Sequence, residues 1–140
     1  MKKLIFPYIE KEHHIFGIIT RPLIRLSFFS ERFEKWLEVG QVLADTGADI
    51  SVIPLPLGQI IVSNVENGIP MRIGGILSSD IPFNAFVHKI KTRIGDYLFE
   101  MPVAVSLLSV IPPIWGRQEA LDRFTASYVQ GKELVLEVRT

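Results

Sequence analysis

The sequence predicts an all-β fold, because apolar and polar residues alternate in segments that are separated by turn signals. Alternation with a period of two, typical of strands with one buried face, is clear over 24–28 and over 86–94. Glycine-containing pairs that favour tight turns lie between apolar segments, at Asn67-Gly68, Gly95-Asp96 and Gly131-Lys132. The pattern favours a single β domain.

Length and composition favour one globular domain that binds neither nucleic acid nor membranes. The chain has 140 residues, of which 48% are hydrophobic, and this is enough to bury a sizeable core. Fifteen basic and fifteen acidic residues give a formal net charge of zero, which argues against polyanionic partners. There is no cysteine, so disulfides, thiolate metal sites and cysteine nucleophiles are excluded.

Residues 1–20 are expected to form an N-terminal extension, either as an extra strand or as a dimer arm. The apolar start of the chain is interrupted at Pro7, too early for a signal peptide, and no transmembrane segment follows, which predicts a cytoplasmic location. His13 and His14 would point to opposite faces of a strand and lack further ligands. We therefore expect no metal and no other cofactor.

A hairpin is expected to lead from the extension to an acidic loop. Its first strand is the alternating segment 24–28, its turn is the polar segment 30–35, and its second strand covers 36–44. The second strand then runs directly into Asp45.

The chain after the acidic loop is expected to remain extended. Pro54, Pro56 and Gly58 argue against a regular helix, so 59–65 is interpreted as another short strand. The double glycine Gly74-Gly75 then interrupts an apolar run, which marks a bend, a bulge or a close backbone approach.

Two strand pairs and one helix are expected in the second half of the chain. The alternating segment 86–94 pairs with 97–105 across a tight turn. The spacing of apolar residues over 118–124 predicts a short amphipathic helix, the single helix expected in the chain. Two final strands, 126–130 and 133–139, complete the sequence.

The strand end at Asp45 is the main candidate for a chemical site. Residues 42–44 suit a buried strand, whereas Asp45, Gly47 and Asp49 favour a turn. A carboxylate between apolar segments is costly to bury unless hydrogen bonded, so Asp45 is either a poised acid or part of a capped turn. No Gly-x-Ser-x-Gly elbow supports a serine hydrolase.

The run Asp-Thr-Gly-Ala-Asp-Ile-Ser-Val-Ile at 45–53 resembles the active-site motif of the retropepsins, the retroviral-type aspartic proteases that also occur in cellular organisms. Arg21-Pro22-Leu23 resembles the family's entry into its first barrel strand. Pro-Ile-Trp-Gly-Arg at 113–117 resembles its apolar-apolar-Gly-Arg motif, although Trp115 replaces a smaller aliphatic residue. By this resemblance, residues 21–140 are expected to form a retropepsin-like aspartic protease domain.

The resemblance implies a fold and a set of site residues. The fold would be a small closed β-barrel with one short C-terminal helix, active as a symmetric homodimer in which the last strand forms the dimer sheet. Asp45 would be catalytic, and the active-site loop would be completed by Thr46, Gly47, Ala48 and Asp49. The flap over the substrate would include Ile73, Gly74, Gly75 and Ile76, with its tip between Gly74 and Pro82.

Structural support of the loop is implied for Gly116, Arg117 and Arg21. By this resemblance Arg117 pairs with Asp49, and Arg21 reaches the same acid from the partner chain. The loss of Arg117 should cost on the order of 3 kcal/mol or more, because it would leave the buried carboxylate of Asp49 without its partner.

Aspartic-protease chemistry needs two carboxylates, and this chain offers one such motif. The second acid must then be Asp45 of a second copy, as twofold symmetry allows. The predicted function is an aspartic endopeptidase that cleaves extended peptide or protein substrates by general acid–base activation of water. The alternatives are a dimeric β-barrel binding or scaffolding module without proteolysis, and a structural β protein in which Asp-Thr-Gly is only a turn.

Overall fold

The strands predicted from alternation are present in the computed structural model, which describes residues 2–74 and 82–138. The strands are β1 Lys2–Pro7, β2 Ile9–His13, β3 Gly17–Arg21, β4 Leu23–Ser30, β5 Lys35–Ala44, β6 Ser51–Ile53, β7 Ile69–Ile73, β8 Phe83–Ile94, β9 Tyr97–Ser106, β10 Ile114–Trp115, β11 Thr125–Val129 and β12 Glu133–Val138. One α-helix in the described ranges, α1, covers Leu55–Ile61, and short 3-10 helices cover Val65–Asn67 and Leu121–Arg123. None of these helices is long and apolar enough to cross a membrane.

Six strands close into a barrel in the order β4-β5-β10-β6-β9-β8. Closure comes from β8 pairing with β4, where Ser27 lies opposite Arg93 and Phe28 opposite Thr92. β7 adds to the outer side of β8. The predicted fold class, an all-β closed barrel, is confirmed.

The apolar residues of the alternating pattern lie on the strand face that packs in the core. Along β4, Ile24, Leu26 and Phe28 are buried within the barrel. Trp115 is the largest fully buried side chain, and its ring packs edge-to-face against Phe124 at 5.5 Å between centroids. The barrel interior is therefore a packed apolar core.

The α1 helix contradicts the prediction that Pro54, Pro56 and Gly58 exclude a helix and that 59–65 forms a strand. Pro54 is the N-cap and Pro56 lies in the first turn, where the missing N–H groups have no helical partner in any case. Gly58 is buried, and a Cβ there would lie 2.2 Å from Val105 Cγ1. The glycine thus allows the helix to pack closely on β9.

The predicted helix over 118–124 is replaced by a short 3-10 helix, Leu121–Arg123. Glu119 has a positive φ of 51° and Ala120 a φ/ψ of −129°/−98°, so the backbone leaves the helical region just before this turn. Ala120 and Leu121 are nevertheless buried in the core. The spacing correctly predicts which residues face inward, but the backbone conformation is different.

A separate three-stranded sheet joins the two ends of the described chain, in the order β1-β12-β11. β1 pairs antiparallel with β12 from Lys2 opposite Val138 to Pro7 opposite Glu133. β12 is therefore central and hydrogen bonded on both sides by strands of its own chain, so the last strand, expected to form the dimer sheet, has no free edge here. The dimer itself stays a prediction. β2 and β3 form a hairpin of their own that contacts this sheet through Thr20 Oγ1, which donates to Gly131 O at 3.0 Å.

Substitution of Gly58 tests the packing of α1 on the barrel. Gly58→Ala should lower the free energy of unfolding by about 1–3 kcal/mol, because the added methyl overlaps the buried Val105 side chain. The matched control is Gly40→Ala, since a Cβ at Gly40 meets nothing within 4 Å. Urea denaturation of both variants measures the difference, and equal midpoints would contradict the packing argument.

Candidate active site

Three neighbouring strands present the acidic loop at one end of the barrel. β10 lies parallel to β5, with Trp115 opposite Ala44, and antiparallel to β6, with Ile114 opposite Val52. The loop 45–50 leaves the end of β5 and passes β10 before it enters β6. Asp45 is therefore the first residue beyond a strand that the core holds in place.

Backbone and loop hydrogen bonds orient Asp45. Its N–H donates to Trp115 O at 3.0 Å, which extends the pairing of β5 with β10 by one residue. Its Oδ1 accepts from the Gly47 N–H at 2.9 Å, and its carbonyl accepts from the Ala48 N–H at 3.2 Å. The side chain is half-buried, so the loop is capped by Asp45 while the carboxylate keeps access to solvent.

Gly116 brings the backbone of 116–118 against the second half of the acidic loop. A Cβ at Gly116 would lie 2.5 Å from the Ile50 carbonyl carbon and 2.9 Å from Ala48 O. The close approach allows Arg117 N–H to donate to Ala48 O at 3.0 Å, while Gln118 N–H donates to Asp49 O at 2.9 Å. Gly116 N–H itself donates to Ser51 Oγ at 3.0 Å. The loop is thus supported mainly by backbone groups.

Arg117 Nη2 contacts Asp49 Oδ1 at 2.9 Å, so the predicted ion pair is present. The expected burial of Asp49 is wrong, because its side chain is 87% exposed and that of Arg117 is 47% exposed. Solvent screens an exposed pair, which therefore contributes only about 1 kcal/mol or less. The earlier expectation of about 3 kcal/mol, which applies to buried pairs, does not apply to this pair.

A cavity of about 490 Å³ joins Asp45 to most of the other predicted site residues. From the loop it is lined by Asp45, Gly47, Ala48 and Asp49, whereas Thr46 is exposed and does not line it. Arg21 lines it from the end of β3, and Ile73 and Gly74 line it from the end of β7. Apolar side chains from three barrel strands complete the wall, at Leu43, Val52 and Ile114.

Several predicted contacts remain predictions. The flap residues Gly75 and Ile76, and most of the expected tip between Gly74 and Pro82, lie outside the described residues. Within the described ranges of one chain, Arg21 forms no ion pair. Its expected contact with Asp49 involves a second copy and stays a prediction. No group of three or more potential metal-binding side chains lies together in 2–74 and 82–138.

Tyr128 is a neighbour of the site that the sequence analysis missed. Its hydroxyl donates to Ala44 O at 3.4 Å, the carbonyl of the peptide unit that joins Ala44 to Asp45. Burial raises the pKa of Tyr128 above its usual 10.0, and the nearby Tyr8 and Asp45 act in the same direction. The phenol therefore stays a neutral donor near neutral pH. No local motif marks this residue, because 84 positions separate it from Ala44.

Comparison with known proteins gives matches among solved structures. No protein-family model matches the chain, and no curated protein matches it in sequence. A retropepsin-like aspartic protease from Rickettsia conorii aligns with a TM-score of 0.57 and 15% identity, over 98% of this chain and 94% of that one. The EIAV protease, complexed with the inhibitor HBY-793, aligns with a TM-score of 0.47 and 19% identity, over 75% and 86%. The Rickettsia alignment, together with the barrel topology, shows that this chain has the retropepsin-like fold.

The close approach at Gly116 is tested by Gly116→Ala. The added methyl would overlap loop backbone, which cannot move aside like a flexible side chain, so we expect a loss of about 1–3 kcal/mol in unfolding free energy. Loop geometry should change as well, visible as amide shifts at Ala48 and Asp49 in nuclear magnetic resonance spectra. An unchanged unfolding midpoint would refute the close approach.

Arg117→Ala should have a much smaller effect. Loss of the exposed pair with Asp49 is expected to cost about 1 kcal/mol or less, and the cost should shrink further at high salt. Urea denaturation at low and high ionic strength measures both values. A loss near 3 kcal/mol would mean that Arg117 supports the loop more strongly than its exposure indicates.

Proposed function

We propose that the chain is an aspartic endopeptidase whose active site takes one Asp45 from each of two copies. The observation that carries the proposal is the half-buried Asp45 carboxylate, held at a strand end by hydrogen bonds and open to a cavity of about 490 Å³. The similarity in fold to a retropepsin-like aspartic protease from Rickettsia conorii supports the proposal.

Two carboxylates are needed because peptide hydrolysis requires a base and an acid at once. In the proposed reaction one Asp45, ionised, removes a proton from a water molecule, and the resulting hydroxide attacks the peptide carbonyl carbon. The other Asp45, protonated, donates to the carbonyl oxygen. The tetrahedral intermediate then collapses and the C–N bond breaks. The Asp45 that accepted a proton from water gives it to the amine nitrogen, and the other Asp45 takes back a proton from a hydroxyl group of the intermediate as the C=O bond forms again.

The arrangement of one chain explains why a second copy is needed. Asp49 is the nearest further acid of the loop, but it pairs with Arg117. Two negative charges close together repel each other, so two neighbouring Asp45 side chains would share a single proton. That shared proton supplies the base and the acid that the reaction needs.

The cavity walls indicate the form of the substrate. Val52, Ile73 and Ile114 give an apolar lining next to Asp45, which suits apolar side chains of an extended peptide. We propose that Ile73 and Gly74 begin the flap that covers this peptide. Closure over the peptide would exclude water other than the nucleophile.

Asp45→Asn tests the role of the carboxylate. The amide oxygen can still accept from Gly47 N–H but cannot act as the base, so peptide cleavage should be lost while the unfolding free energy changes by only about 0.5 kcal/mol. Asp96→Asn, in the turn between β8 and β9, is the matched control and should remain active. Cleavage by the purified Asp45→Asn protein would refute the proposal. An inactive wild-type dimer at every pH would favour the binding module instead.

Mixed dimers test whether the site is shared. Wild type and Asp45→Asn are unfolded and refolded together at fixed total concentration, which randomises the pairing. Activity should follow the square of the wild-type fraction, so that equal amounts leave about a quarter. A value near one half would show that each chain acts alone.

A further inference from the structure

The peptide unit that joins Ala44 to Asp45 is hydrogen bonded at both of its polar groups. Its N–H, on Asp45, donates to Trp115 O at 3.0 Å. Its carbonyl, on Ala44, accepts from the Tyr128 hydroxyl at 3.4 Å. The N–H and C=O of a trans peptide lie in one plane and point in opposite directions, so bonds from opposite sides restrict the tilt of that plane. This tilt is coupled to φ of Asp45, one of the backbone angles that direct its side chain.

The two bonding partners of this peptide unit belong to different parts of the fold. Trp115 lies in β10, within the barrel sheet, and uses a backbone carbonyl. Tyr128 lies in β11, at one side of the terminal sheet, and uses its side chain. The barrel therefore supplies one of the two bonds, whereas the other depends on the identity of a single residue.

The Tyr128 hydroxyl is suited to act as a permanent donor. A carbonyl oxygen can only accept, so the hydroxyl must donate in this bond. Burial raises the pKa of Tyr128 above its usual 10.0, and the nearby Tyr8 and Asp45 raise it further. The phenol therefore keeps its proton throughout the pH range in which carboxylates titrate.

We propose that Tyr128 is a positioning residue for the Asp45 carboxylate and acts through the Ala44 carbonyl. Without this bond the peptide unit is held at its N–H alone and can tilt, which moves the carboxylate away from the position that the reaction needs. The inference rests on the proposed function for its effect on cleavage. Its effect on the geometry of the Asp45 loop does not depend on cleavage and can be measured separately.

Tyr128→Phe tests the proposal, because it removes the hydroxyl and keeps the ring. We expect kcat to fall about 10-fold with little change in KM, because carboxylate orientation acts in the transition state whereas the cavity walls bind the peptide. The matched control is Tyr97→Phe, at the end of β9 away from the residues that pair with β6. This variant should keep the wild-type kcat.

A donor of different chemistry separates the hydrogen bond from other effects of the substitution. Incorporation of para-aminophenylalanine at position 128 places an N–H donor where the hydroxyl was, and it should restore most of the lost kcat. Unfolding midpoints and sedimentation coefficients of both position-128 variants should match those of wild type. A loss of kcat that came from altered folding or assembly would change these two measurements as well.

Nuclear magnetic resonance measures the loop geometry without any need for cleavage. Gly47 N–H donates to Asp45 Oδ1, so its amide signal reports on the carboxylate. Tyr128→Phe should shift the signals of the Gly47 amide and of the Asp45 carboxyl carbon. The amide of Val103, in the buried part of β9, serves as an internal reference and should not shift.

The outcomes distinguish the positioning role from the proposed activity. If Tyr128→Phe keeps both the wild-type kcat and the wild-type Gly47 signal, the positioning role is wrong although the protease proposal stands. If the Gly47 and Asp45 signals shift but wild type cleaves no peptide, Tyr128 positions the carboxylate and the protease proposal fails. A loss of kcat that para-aminophenylalanine does not restore, or that accompanies a lower unfolding midpoint, would overturn the positioning role.

Discussion

The position of Asp45 depends on a close approach between two backbone segments, that of Gly116 to the carbonyl groups of Ala48 and Ile50. A side chain at Gly116 would push the two segments apart. The hydrogen bonds from Arg117 N–H and Gln118 N–H to the loop would then be lost. Trp115 O, in β10, also accepts a hydrogen bond from the Asp45 N–H. One short stretch of chain thus holds the acidic loop at its beginning and along its second half. The barrel therefore fixes where Asp45 leaves β5, and the Gly47 N–H orients its carboxylate.

This arrangement changes the role expected of the charged side chains near the site. Arg117 does contact Asp49, yet both lie largely in water, where an ion pair adds little stability. The backbone bonds beside it need no particular side chain, and they require only the glycine for the close approach. The sequence motif identifies the partners of this contact correctly, but burial depends on the surrounding loops, which a motif does not describe. Support of the loop is therefore a property of shape more than of charge.

The sequence predicts well those features that depend on neighbouring residues. The period-two pattern of β4 and β8 and the turn at Gly95 are local signals, and the structure contains the corresponding strands. Two features that depend on distant contacts were not predicted. Gly58 disfavours a helix locally, but its packing on Val105 makes α1 possible. The same holds for the central place of β12, which becomes visible only when its pairing with β1 is known.

The candidate site also combines features that are local in the sequence with contacts between distant residues. Asp45, Gly47 and Asp49 lie within one short run, so the loop could be recognised from the sequence. Tyr128 could not, because its contact with Ala44 joins the terminal sheet to the barrel. The positive φ of Glu119, which interrupts the predicted helix near its start, also has no clear sequence signal. Local chemistry is thus visible in the sequence, whereas the contacts between layers are not.

The pairing of β1 with β12 has a kinetic consequence. Lys2 lies opposite Val138, so nearly the whole described chain separates the two strands of this pair. Closing so long a loop has a high entropic cost before any contact is gained, and β topologies rich in such contacts fold on the order of milliseconds to seconds. The barrel can form its own strand pairs first, and the terminal sheet then forms late. Until then the uncharged edge of β11 and the second edge of β12 are both open, which makes the partly folded chain the species most prone to aggregation.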